Sequence, residues 1–100
     1  MDYETASDFE INKAVAEALG SYGICDRRGD VLVRNKPFDP CNSWADAGPI
    51  IVENKGCISY AGLLGWYAAN NPDGDNLIQF WDKNPLRAAM IVFLKMQEQR

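Results

Sequence analysis

The chain contains no histidine, which removes the commonest general base and the commonest metal ligand. Its three cysteines, Cys25, Cys41 and Cys57, form no close pair of the C-x-x-C kind. Without histidine a three-thiolate zinc site lacks its usual fourth ligand, so no metal or cofactor is expected. Positive charge is also scarce. Ten Lys and Arg stand against fourteen Asp and Glu, a net charge of −4, whereas phosphate neutralisation needs a clustered basic excess; direct nucleic-acid binding is not expected. No apolar run approaches the ~20 residues of a membrane span. The amino-terminal stretch MDYETASDFE is acidic and lacks the positive-then-apolar order of a signal peptide. The chain is therefore expected in the cytoplasm, where cysteines stay reduced and serve as small apolar residues or half-exposed thiols.

What is present suits a folded domain. Hydrophobic residues make up 47% and charged residues 24% of 100 residues, which permits one core and leaves no room for a second. We read residues 1–100 as a single α+β domain: a three- or four-stranded, mostly antiparallel sheet with the first and last helices packed on it.

The first helix is announced by Ser7-Asp8-Phe9-Glu10, a capping box with Ser7 as N-cap and Glu10 reaching back to its amide. Ile11, Val15, Ala18 and Leu19 follow as one apolar stripe, Glu10, Asn12, Lys13 and Glu17 read as solvated, and Gly20 supplies a left-handed stop. Tyr22–Asp26 and Val31–Asn35 then flank Arg27-Arg28-Gly29-Asp30, a hairpin with a polar turn. Arg28-Gly29-Asp30 spells the tripeptide read by integrins, but a cytoplasmic chain does not meet that receptor, and the turn accounts for it.

The segment FDPCNSWADAGPII, Phe38–Ile51, is dense in unusual residues. Asp39 fits an N-cap and Pro40 the first helical position. Gly48 or Gly48-Pro49 ends or kinks that helix. Ile50-Ile51-Val52 suits a strand by its β-branching, yet Pro49 before it and Gly56 after it fit a further helical turn, which is the reading favoured. Trp44 is then the anchor that packs the segment onto the body. The functional alternative is a binding surface, with Trp44 offering an aromatic face beside Asp39, Asn42 and Asp46. Cys41 near a helix start could have a lowered pKa, yet a catalytic cysteine needs a base that this chain does not supply as histidine.

Cys57–Tyr60 and Gly65–Ala69 read as neighbouring strands joined by a glycine turn. NNPDGDN, 70–76, is a loop. Its alternating Asn71, Asp73 and Asp75 resemble a calcium loop, but Asn76 stands where the glycine belongs and Asp82 where the bidentate glutamate belongs. Asn84 and Pro85 then start a helix through Met96. From Ala88 to Leu94 that helix is apolar nearly all round, which points to a central position or to a second subunit. A homodimer through Ile91, Val92 and Phe93 is the expectation for the latter case.

DFEINKAVAEALG, FDPCNSWADAGPII and NPLRAAMIVFLKMQEQ, in that order, resemble the small NinX-like proteins of lambdoid bacteriophages and enterobacterial prophages. The resemblance covers a little under half the chain. It implies a phage or prophage accessory protein encoded among early genes for replication, recombination and regulation, and it carries over no catalytic residue. The function expected first is a non-catalytic protein-interaction module that binds a host or phage protein through Trp44, Trp66 and Trp81, the aromatic types favoured at interface centres. The acidic balance suits a basic, nucleic-acid-handling partner. The second reading is a small-ligand binder with a pocket near residues 39–51. An enzyme ranks third, because no two carboxylates have a spacing that defines an acid–base pair.

Overall fold

The computed structural model describes residues 2–20, 24–25, 31–33, 36–70 and 77–98, with only the backbone of 24–25. The turn at 27–30, residues 71–76 of the polar loop and the terminal Gln99 and Arg100 lie outside the described residues.

Helix α1 spans Asp8–Ala18, with the Ser7 hydroxyl accepting the Glu10 N–H at 3.1 Å. Gly20 follows with φ +80°, the left-handed stop expected there. Strands β1 (Ile24–Cys25), β2 (Val31–Val33) and β3 (Lys36–Pro37) form a small antiparallel sheet in that order, with Cys25 opposite Val31 and Leu32 opposite Pro37. Pro37 has no amide proton to give, so an edge strand is where it fits. Helix α2 spans Trp44–Glu53, and β4 (Cys57–Tyr60), β5 (Trp66–Asn70) and β6 (Ile78–Asp82) form a second antiparallel sheet in sequence order. A single 3-10 turn at Gly62–Leu64 joins β4 to β5. Helix α3 spans Pro85–Glu98. The fold is α+β, with two three-stranded sheets among the described residues.

Helix α3 organises the core. It lies across β4, β5 and β6 on one side and receives α1 and α2 on others, so Leu86 and every residue from Ala88 to Leu94 is buried. This corrects the expected subunit contact. Ile91, Val92 and Phe93 are covered by elements of their own chain and are not available to a second copy. The all-round apolar surface of α3 is explained by its central position.

Helix α1 docks with a face rotated from the expected one. Ile11, Asn12, Val15 and Ala16 are buried, while Ala18 and Leu19 are exposed. Asn12 is therefore not a solvated residue, and its amide has partners inside.

Tight geometry closes the second sheet at one end. Gly65 has φ +88°, and a Cβ there would stand 2.6 Å from the Asp82 carbonyl oxygen. Only glycine lets β5 start this close to the end of β6.

Candidate functional site

The segment after β3 is a turn followed by a helix. The Asp39 carbonyl accepts the N–H groups of Asn42 at 3.0 Å and Ser43 at 2.8 Å. Ser43, not Asp39, is the N-cap of α2, its side chain accepting the Asp46 N–H at 3.4 Å. The Asp46 carboxylate reaches back to accept the Asp39 N–H at 2.9 Å. Gly48 and Pro49 fall inside α2 without ending it, and Ile50–Val52 is helical as expected. The exposed start of the helix lets water satisfy the carbonyl that Pro49 leaves unpaired.

Asp39 is freed from capping because its carboxylate has another task. It accepts from Asn12 Nδ2 at 2.7 Å and Asn42 Nδ2 at 3.1 Å. Asn12 Oδ1 accepts the Cys41 N–H at 3.2 Å, and Asn84 Nδ2 donates to the Cys41 backbone carbonyl at 2.6 Å. Asn84 also caps α3, its Oδ1 accepting the Leu86 N–H at 2.9 Å. The turn is thus held from α1 on one side and from the start of α3 on the other.

Arg87 completes this cluster. Its Nη1 pairs with Asp8 at 2.8 Å and its Nε with Asp82 at 3.2 Å, while Nη2 donates to the carbonyls of Tyr3, at 3.2 Å, and Ala6. Only 12% of its side chain is exposed. The planar fork reaches four acceptors on two chain segments, residues 3–8 and the end of β6, a task that lysine's single ammonium does not fill. Sequence reasoning passed over Arg87, although one signal was present. A cation in the first turn of a helix opposes the helix dipole, so something other than the helix had to hold it there.

Cys41 is fully buried in this cluster, and its thiol is pushed up to about 12, first by burial and then by the Asp8 carboxylate. An activated nucleophile needs the opposite shift. Among the described residues Cys57 is the exposed thiol, and every buried side-chain polar atom has a partner. No group of metal-ligating residues stands together among them.

Asp39, Asn42 and Asp46 are brought together, and they hold the turn. Trp44 leaves them for the outer side of α2, where it is 61% exposed. It is not the packing anchor expected; the small Ala47 and Ile50 take that role on the inner side. Trp66 and Trp81 lie on β5 and β6, away from that turn. Trp66 sits opposite Asp82 on the side facing α3 and meets Tyr60 edge-on at 5.3 Å; Trp81 sits opposite Tyr67 on the other side, ring centres 5.0 Å apart.

Two spaces bear on ligand binding. Between α2, α3 and the second sheet a cavity of about 10 Å³, lined by residues including Ile50, Ala68 and Phe93, has room for about one water. Beside the 39–42 turn an open cleft of about 230 Å³ is lined by Asp8, Phe9, Asn12, Phe38, Asp39 and Asn42 among others.

A further group of exposed apolar residues lies elsewhere. Tyr60 ends β4, Leu63 and Leu64 form the 3-10 turn, and Trp81 precedes the last residue of β6. Their registers place them at one end of the sheet. Tyr60 is 70% exposed, Leu64 65% and Trp81 41%, and Leu63 stands wholly in solvent. Leu64, Phe80 and Trp81 line one open cleft of about 610 Å³ with Glu4, Lys83 and Lys95 at its margin.

No helix among the described residues is long and apolar enough to cross a membrane. The family model described as "Bacteriophage P22, NinX" matches residues 2–97. A comparison with curated proteins gives no match. The chain belongs to the NinX family, which makes it a phage accessory protein.

Proposed function

We propose that this member of the NinX family is a non-catalytic interaction module of the early phage genes, acting in the host cytoplasm by binding a host or phage protein. The end of the second sheet is the contact surface. One observation carries the reading: Leu64 and Trp81 are exposed along one open cleft where β4 turns into β5 and β6 leaves for α3, with Tyr60 and Leu63 exposed at the same end of the sheet. A large apolar group of this kind contributes nothing to a monomer that leaves it wet, and partners use such groups as anchors. The net charge of −4 favours encounter with a basic partner, including a nucleic-acid-handling protein. Cys41, buried and holding its proton, does not offer a thiolate nucleophile.

Affinity capture from phage-infected cells identifies the partner, and the purified pair is then titrated with wild type and Leu64→Asp. The expected result is a loss of at least about tenfold in affinity with unchanged thermal unfolding. Equal affinity for both proteins would remove this surface from consideration.

The ligand-binding reading is second. The cleft beside the 39–42 turn favours it through four converging polar side chains, but those groups already bond to one another. A thermal-shift screen that raised the wild-type unfolding temperature, and did so less for Asn42→Ala, would move it to first place.

A further inference from the structure

We propose that the free edge of β6 receives an extended segment of the partner protein as an added strand, one in which acidic and apolar side chains alternate. This rests on reading the end of the second sheet as a contact surface, and it adds how the partner enters.

The second sheet runs β4-β5-β6, so β6 pairs on one side only. A Cβ at Gly65 would meet the Asp82 carbonyl oxygen at 2.6 Å, so that carbonyl is turned toward the start of β5. Backbone groups alternate along an antiparallel strand. Those of Ile78, Phe80 and Asp82 therefore face β5, and Gln79 and Trp81 turn their N–H and carbonyl groups outward. Among the described residues no turn, loop or cap bonds to those four groups. Proline is one device that blunts an edge, and Pro37 does so in the first sheet. Strand β6 reads IQFWD and has none. An edge left in this state is a template for another strand.

The space beside the edge fits that use. Residues 79–83 line the open cleft of about 610 Å³, and residues 77–79 line a second of about 320 Å³. Side chains on one face of a strand are two residues apart, so consecutive residues line a cleft when it runs along the edge. Lys95 of α3 borders both clefts. The groove has two unlike sides. On the α3 side Lys95 Nζ stands 4.9 Å from the centre of the Phe80 ring, and neither Lys95 nor Lys83 forms an ion pair among the described residues. Of the nearby carboxylates, Asp82 holds Arg87, Glu98 accepts the Tyr3 hydroxyl, and Glu4 lies at the margin. On the outer side the edge presents Trp81, with Leu64 in the same cleft. The side chains of an added strand alternate between these sides, so carboxylates meet the lysines and apolar groups meet Trp81. The lysines oppose the chain's net charge of −4, and they select an acidic segment even from a partner that is basic as a whole. A second copy of β6 fits less well, because a two-fold axis at Phe80 sets Lys95 against its own copy.

The probe is a capped synthetic peptide of about seven residues, alternating glutamate and valine and long enough to span β6. Amide hydrogen exchange of the full chain is followed by NMR as the peptide is added to about 2 mM. Saturable binding is expected, with exchange at the Gln79 and Trp81 amides slowed at least about tenfold. A peptide with lysine in place of glutamate, or the Lys95→Gln protein, should bind at least about threefold more weakly. Failure to bind by about 2 mM overturns the proposal. So does binding that leaves those two amides exchanging freely, or a lysine peptide that binds as tightly. Slowing that grows with protein concentration in the absence of peptide places a second copy on the edge and equally overturns it. Any of these results beside a captured partner that Leu64→Asp still weakens would strike the added strand and leave the contact surface in place.

Discussion

Around Arg87, charged and polar side chains from α1, the 39–42 turn, β6 and α3 are turned inward and bonded to one another. At the end of the same sheet, Tyr60, Leu63 and Leu64 are turned outward with nothing described over them. Asp82 belongs to both regions: its carboxylate holds Arg87, and its backbone lies against Gly65 at the start of β5. The usual assignment of polar to surface and apolar to core is therefore inverted within a short distance. Burying polar groups is tolerable only when each is satisfied, and that end of the molecule satisfies all of them internally. Contiguous exposed apolar groups more often mark a surface for another molecule. The first region accounts for stability, and the second is the surface for which contact with a partner is proposed.

Substitution of Arg87 is the strongest way to break that division. Arg87→Met leaves Asp8, Asp82 and two carbonyls without their donor, and we expect a loss of about 3 kcal/mol in urea unfolding. That is a large fraction of the ~5–15 kcal/mol available to a small domain. A change below about 1 kcal/mol would mean that water replaces the guanidinium at no great cost, and that the cluster is not what closes this end.

The next effect is on pH. Burial raises the Cys41 thiol above its unfolded value, so its contribution is complete below about 9 and is lost as pH rises toward about 12. The urea midpoint should fall across that alkaline window, and less steeply for Cys41→Ala. Iodoacetamide should label Cys57 in the folded protein and reach Cys41 only on unfolding. Prompt labelling of Cys41 at neutral pH would show the cluster to be open.

The smallest effect sharpens the comparison from the other side. Leu64→Asp should change stability by less than about 0.5 kcal/mol, since the side chain is mostly in water. A loss comparable to that of Arg87→Met would make the apolar end part of the core rather than a surface.

Local signals were legible in the sequence. The Ser7 cap, the Gly20 stop, the hairpin pairing 24–25 with 31–33, the strands at 57–60 and 66–70, and the Asn84-Pro85 start of α3 all depend on neighbouring residues. Choices between equivalent local solutions were not legible. Asp39 and Ser43 both suit an N-cap, and what decides is that Asn12, distant in sequence, takes up the Asp39 carboxylate. The stripe on α1 could begin at Ile11 under either reading; it rotates to bury Asn12 because the turn supplies partners for its amide. Strand β6, with Gln79 and Asp82 among its five residues, shows little apolar continuity because one of its ends serves the Arg87 cluster. The six residues expected to bind divide accordingly: Asp39, Asn42 and Asp46 brace the turn, and the three tryptophans occupy separate surfaces.

The bond from Arg87 to Asp8 joins residues 79 positions apart. A ribosome adds on the order of 5–20 residues each second, so α1 is made several seconds before the helix that will cover it exists. During that interval Ile11 and Val15 have no partner on α3. Synthesis from the amino end thus leaves the first helix waiting longest for the last one to cover it.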